Sequence, residues 1–328
     1  MKKSPLATAA LMACLAGPSI AQIDHFPDMD WKEKQTDHFS IRTRSTGTDP
    51  ARKYAEKIWD ECLEVLPGLE SDFADNKFRT PGGEKGSEEA PYRFTVYLVG
   101  TGSDYVQMID IDAERNGWGG TQKKSCKITR NYADPHNRYT VFCKADPENS
   151  GGGGERDLTP VFIHNTASTI MQGRSESSRH PLWMTAGFGY YVEHMLTERC
   201  RVYYIDFQAY YQNNDDDAEL VRGGTLGPDV EWPDAIRRLC KKDIRESLES
   251  VCSAEIITLS PNQSGYIFAL THFLVSDEER VKKYRELVAH AKAGKEVDKD
   301  LLLETYGYDD DEALEKDWYE FVESRKFK

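Results

Sequence analysis

The chain has 328 residues, of which 39% are hydrophobic and 30% charged, and its formal charge is −14. That length is enough to bury a real core in one large domain or two intimate ones. The acidity sets phosphate backbones and anionic lipid surfaces against it, so nucleic acid is not an expected partner.

The first residues read as a secretory signal, residues 1–21. Lys2 and Lys3 form a charged lead, Leu6 to Leu15 an apolar stretch too short to span a bilayer, and Ser19-Ile20-Ala21 a small-residue cleavage site. The mature chain is expected to begin near Gln22, in the periplasm or outside the cell, with a charge of −16 once Lys2 and Lys3 are gone. A second reading takes Leu11-Met12-Ala13-Cys14 as a lipobox with a lipid anchor at Cys14, a pattern that Met12 fits poorly. No other segment has the length and apolarity of a transmembrane span. Six cysteines lie beyond the signal, and an exported chain is expected to bridge them. Cys126 and Cys143 flank an expected hairpin and are the favoured pair. The spacings do not match paired C-x-x-C zinc motifs.

In chain order, His38 to Thr43 alternates like a strand, and Asp49-Pro50 opens a helix that runs to about Leu66. Tyr54, Ile58, Cys62 and Leu66 recur every four residues, so they predict its buried face. Tyr92 to Leu98 predicts a second strand. Asp110-Ile111-Asp112 reads as part of a strand with both carboxylates on one side, and Lys127-Ile128-Thr129 pairs with Tyr139-Thr140-Val141 across the turn Asp134-Pro135-His136-Asn137. These runs predict a small, mostly antiparallel sheet in residues 22–158. Residues 159–328 are expected to be helical: Thr159 to Met171, Trp183 to Glu198, Ser264 to Val275, Val281 to Ala293 behind a Ser276-x-x-Glu279 capping box, and Asp311 to Glu323. The acidic runs Asp215 to Asp217 and Asp309 to Asp311 lack the spaced oxygen ligands of a calcium loop and read as a solvated loop and a helix start.

Two segments carry a likeness. Val161-Phe162-Ile163-His164-Asn165-Thr166-Ala167-Ser168 and Pro181-Leu182-Trp183-Met184-Thr185-Ala186-Gly187-Phe188-Gly189-Tyr190-Tyr191-Val192-Glu193 together resemble the paired active-site helices of the gluzincin zinc peptidases, in particular secreted, peptidase-MA-like bacterial proteins. Gly265-Tyr266-Ile267, the Tyr306-Gly307 turn and Asp317-Trp318 extend the resemblance over most of the mature chain. It implies an α+β, thermolysin-like scaffold. In that family an H-E-x-x-H helix grips zinc with two histidines, its glutamate takes a proton from the metal-bound water, and the next helix adds a carboxylate ligand.

Of those four positions only His164 keeps the family residue. Asn165 stands at the general base, Ser168 at the second histidine and Ala186 at the carboxylate. An amide takes up no proton at neutral pH, and a methyl group donates nothing to a metal. The likeness therefore implies the scaffold and argues against the activity: a pseudo-metallopeptidase with no cofactor, which retains its old cleft for a peptide, protein or cell-envelope ligand. Trp183, Tyr190, Glu193 and Tyr266 are the candidate cleft residues, and each also reads as packing. His164 alone is expected to be a core histidine bonded to Ser168 or Asn165. The rival is an active metal-dependent hydrolase that rebuilds a zinc site from His164 with His180 or Glu193. Glu193 and His194 diverge by about 100° on one helix, so they cannot easily share an ion. A third possibility is a purely structural envelope protein.

Overall fold

The β-branched and aromatic alternation of Phe39–Thr43, Phe94–Val99 and Tyr139–Cys143 builds three neighbouring strands, as such runs do when both faces are to be covered. The computed structural model describes residues 25–44, 49–74, 93–135, 137–145, 157–174, 180–202, 231–242, 244–255 and 259–328. The signal segment, Cys14, Tyr92, His136 and Asp215 to Asp217 lie outside the described residues.

Five strands form one sheet in the order β1-β2-β3-β5-β4, with β1 at Lys32–Gln35, β2 at Phe39–Thr43, β3 at Phe94–Val99, β4 at Asn131–Asp134 and β5 at Tyr139–Cys143. The fold is α+β, as the sequence indicates, but the sheet is mixed and not mostly antiparallel. β1 and β4 pair antiparallel at the two edges, while β2 with β3 and β3 with β5 are parallel. The cause is connectivity. Helix α1 (Asp49–Val65) with the short α2 (Leu69–Ala74) joins β2 to β3, and helices α3 (Gly102–Asn116) and α4 (Gly120–Thr129) lie between β3 and the terminal hairpin. A helical crossover returns the chain in the same direction, so the strands it links run parallel.

Helices α3 and α4 replace two expected strand segments. Asp110-Ile111-Asp112 sits on α3, where residues two apart point to opposite sides: Asp112 is fully buried while Asp110 is exposed and pairs with Lys123. Lys127-Ile128-Thr129 is the last turn of α4, which Arg130 ends in the left-handed region, φ 57°, so the hairpin begins four residues later than its first predicted strand residue.

The helical half runs α5 (Thr159–Gln172), α6 (Leu182–Thr197), α7 (Trp232–Lys241), α8 (Leu248–Cys252), α9 (Pro261–Leu274), α10 (Glu278–Lys292), α11 (Lys299–Tyr306) and α12 (Asp311–Glu323). Helix α10 is capped by Asp277, whose carboxylate accepts from Arg280 N at 2.9 Å, and not by Ser276. Asp310 caps α12 in the same way, which gives the Asp309 to Asp311 run its helix-start role. Gly307, φ 76°, ends α11 at the predicted turn.

One face of the sheet packs with α1, α5, α6 and α9 in a continuous apolar core, and its other face carries a second cluster built on Tyr97, Tyr105, Met108, Ile109, Tyr139 and Val141. The segment from Phe26 to Trp31 closes that second cluster: Phe26 packs edge-on against Tyr97 at 4.9 Å, and the Arg115 guanidinium donates to His25 O at 2.8 Å. The six cysteines beyond the signal are free thiols. The expected Cys126–Cys143 bridge is therefore not formed here; the Cys143 sulfur lies 3.3 Å from the Ala145 carbonyl and 3.6 Å from that of Thr101. Among the described residues no helix is long and apolar enough to cross a membrane.

A buried ionic junction ties these layers together. Asp72 on α2 accepts from Arg174 Nε at 2.7 Å, just past the end of α5, and from Lys292 at the end of α10; Arg138 donates to its backbone carbonyl at 2.7 Å. Removing a buried carboxylate strands the charges around it. Asp72→Ala is expected to lose about 3 kcal/mol in urea unfolding, whereas the exposed Asp110→Ala is expected to change stability by less than about 0.5 kcal/mol.

Candidate functional site

Helices α5 and α6 carry the four positions of the resemblance, and small residues set the distance between them. A methyl group built at Gly189 would stand 2.9 Å from both His164 Cε1 and His164 O and closer still to Ser168 Oγ. At Gly187, on the α9 side, it would collide with Thr271 and Ile267. The two glycines thus let α6 lie against α5 and α9 at once, at a separation no larger residue permits.

His164 is fully buried, and its Nδ1 lies 3.7 Å from Glu193 Oε2, an equally buried carboxyl two turns beyond Ala186 on the same face of α6. Glu193 is thus a polar neighbour of the ring, on the side of Nδ1, where Ser168 or Asn165 was expected. Ser168 Oγ instead donates to Thr185 O at 2.8 Å, and Asn165 Nδ2 reaches the edge strand, donating to Asn131 Oδ1 at 2.5 Å. Glu193 Oε1 accepts from Arg201 N at 2.6 Å. The Tyr190 ring stands edge-on to His164 at 4.4 Å and leans on Trp232 at 4.9 Å.

Electrostatics make this an uncharged junction. Burial pushes His164 down to about 3, and burial raises Glu193 well above the ordinary carboxyl range, against the opposing pull of the Arg201 amide and charge. Both directions favour the neutral forms at pH 7, so the 3.7 Å contact is not an ion pair there. It exceeds hydrogen-bond length as well.

The other candidates are packing residues. Trp183, Tyr190, Glu193 and Tyr266 are all buried in the main core and cannot line an open groove. The Tyr266 hydroxyl donates to Ile244 O at 2.5 Å and its ring meets Trp318 edge-on at 5.9 Å, which pins α9 to the loop before α8 and to α12. Ala186 is fully buried. His180 sits beside Arg174, and burial together with that charge pushes its pKa down to about 3. His194 turns away from Glu193, as the helical spacing requires, and its ring lies 5.2 Å from those of Phe268 and His272 on α9.

Zinc, which the resemblance implies, does not fit this donor set. His164 and Glu193 offer two groups, the Ser168 hydroxyl is already spent on Thr185 O, and Ala186 offers none. Among the described residues no group of three or more His, Cys, Asp or Glu side chains could hold a metal ion. The His164–Glu193 contact itself was open to sequence reasoning: position 193 falls seven residues after 186, which returns it to the same helical face.

Two substitutions test this description. Gly189→Ala is expected to cost about 2 kcal/mol in chemical denaturation despite its better helix propensity, because α5 must move. The folded-state pKa of Glu193 is raised, so its contribution is fully present below about pH 4.5 and is lost as pH rises toward the folded value. Glu193→Gln should therefore gain on the wild type between pH 5 and pH 8, by about 1 kcal/mol per pH unit while Glu193 stays protonated in the fold. A pH-independent difference in urea unfolding would contradict the neutral carboxyl.

Comparison of the chain with family models, with curated proteins and with solved structures gave no match.

Proposed function

We propose that this is an exported, peptidase-like protein without peptidase activity, a pseudo-metallopeptidase that acts by holding a peptide, protein or cell-envelope ligand next to its former active-site helices. The observation that carries the reading is chemical: where hydrolysis needs a base, a second imidazole and a carboxylate, the chain has Asn165, Ser168 and Ala186. Each has a structural occupation, with Asn165 bonded to Asn131, Ser168 to Thr185 O, and Ala186 packed in the core.

The ligand surface assigned by this reading is the rim of the old site and not its interior. β4 is an outer strand of the sheet, and Asn131 joins it to Asn165 at the first turn of the degenerate motif. Among the described residues no strand pairs with its outer side. An open edge offers backbone donors and acceptors to an extended peptide, and the half-buried Asn131 and Ala133 leave it a shallow border.

The alternative is an active metal-dependent hydrolase with a rearranged site around His164, and the proximity of Glu193 is the observation in its favour. Against it, both groups have no exposure, so substrate reaches them only if α5 parts from α6. Metal analysis after dialysis against zinc, combined with hydrolysis of a broad peptide library, separates the two readings. The expected result is less than stoichiometric zinc and no turnover. Stoichiometric zinc with turnover abolished by His164→Ala would establish the alternative instead.

A further inference from the structure

We infer that Cys126 and Cys143 are a modification site: in an oxidising environment they join as a disulfide that staples the last turn of α4 to the end of β5. The inference does not depend on the ligand-binding reading.

The backbone brings the two cysteines together through a single residue. Arg130 N donates to Cys126 O at 2.9 Å, and Cys143 N donates to Arg130 O at 2.8 Å, so the left-handed cap of α4 is hydrogen-bonded to both. Side-chain direction agrees. On β5 the alternation sends Phe142 into the main core and sends Tyr139, Val141 and Cys143 into the second cluster on the opposite face. Cys126 packs against that same cluster. The remaining cysteines belong elsewhere: Cys62, Cys200 and Cys240 are in the main core and Cys252 packs on it. Among the described residues the second cluster thus holds two thiols, and those two border one apolar volume.

A polar anchor restrains α4 from the other side, since the Tyr105 hydroxyl donates to Cys126 O at 2.8 Å. In the reduced form the Cys143 sulfur lies near the Thr101 and Ala145 carbonyls. Bridging requires it to leave those carbonyls and turn toward α4.

With oxidised glutathione as the oxidant, the chemistry balances. The Cys126 thiolate attacks one glutathione sulfur, and the other leaves as a thiolate with the electron pair of the broken S–S bond. The Cys143 thiolate then attacks the Cys126 sulfur of the mixed disulfide and expels the second glutathione thiolate. Two electrons pass to glutathione, and the two cysteine protons are balanced by those that the two glutathione thiolates take up. Burial pushes Cys126 up to about 12 and holds its thiolate scarce in the folded chain, so the bridge forms while the chain folds.

The test uses the full chain refolded in reduced and oxidised glutathione, unfolded with an alkylating reagent and no reductant, and mapped by peptide mass. The expected result is one linked peptide pair containing Cys126 and Cys143, about 2 Da lighter than the sum of its parts. The melting temperature of the oxidised protein should fall by roughly 5 °C on reduction. The double variant Cys126→Ser, Cys143→Ser should match the reduced wild type and ignore reductant. Alkylation of both cysteines in oxidised protein, or a bond from either to another cysteine, overturns the assignment. If the double variant fails to fold, the peptide map of the wild type alone decides.

Discussion

The close approach of α5 and α6 is the constraint on which the centre of this protein rests. It exists because Gly189 presents no side chain to α5, and it places His164, Ser168, Thr185 and Glu193 inside one seam. An active metal site on two such helices has to leave room for an ion, a water and a substrate atom. Here that volume is taken up by packing, and the polar groups left from the seam satisfy one another or shed their charge. Neutrality follows from the exclusion of water, because burial disfavours the charged form of both groups and the Arg201 charge opposes it at Glu193 without reversing it.

The resemblance to metallopeptidases and the chemistry of the seam support the same proposal by different routes. The likeness rests on the order of the elements and on residues such as Trp183, Tyr190 and Glu193, which the structure assigns to packing. The chemistry rests on what Asn165, Ser168 and Ala186 can and cannot do. The chemistry of these side chains holds whatever the ancestry, but the likeness alone marks positions 165, 168 and 186 as the ones to inspect.

How much the sequence disclosed depends on what each residue type was packed against. Helices α1 and α5 were legible from their proline starts, with four-residue apolar spacing added on α1, α12 from its acidic start, and α6, α9 and α10 from their helical patterns. The α3 and α4 pair was not, since Asp112 occupies a buried position where the pattern wants a hydrophobe and is held there by Tyr132 at 2.6 Å and Arg115 at 2.8 Å. The parallel core of the sheet was hidden for a related reason. Ser40 and Arg42 read as a solvent face, yet both are buried: Ser40 donates to Glu33 at 2.7 Å, and the Arg42 guanidinium lies over Tyr97. At the site, His164 was identified and its burial anticipated, but its hydrogen-bond partner was sought along the same helix, and Glu193 was set beside it only in the rival metal-site reading. Glu193 comes from the next helix, and only the face it shares with Ala186 hinted at this.

The junction at Asp72 bears on the order in which the chain can be assembled. Its partners Arg174 and Lys292 stand 102 and 220 residues further along, so the carboxylate acquires its full set of counter-charges only when α10 has been delivered. A ribosome or secretion channel that releases the chain from its beginning would expose α1, α2 and the whole sheet well before that moment. Contacts of such long range make folding slow and leave early segments in need of protection from aggregation. The junction that closes the early segments against the helical half is thus completed only by residues near the end of α10.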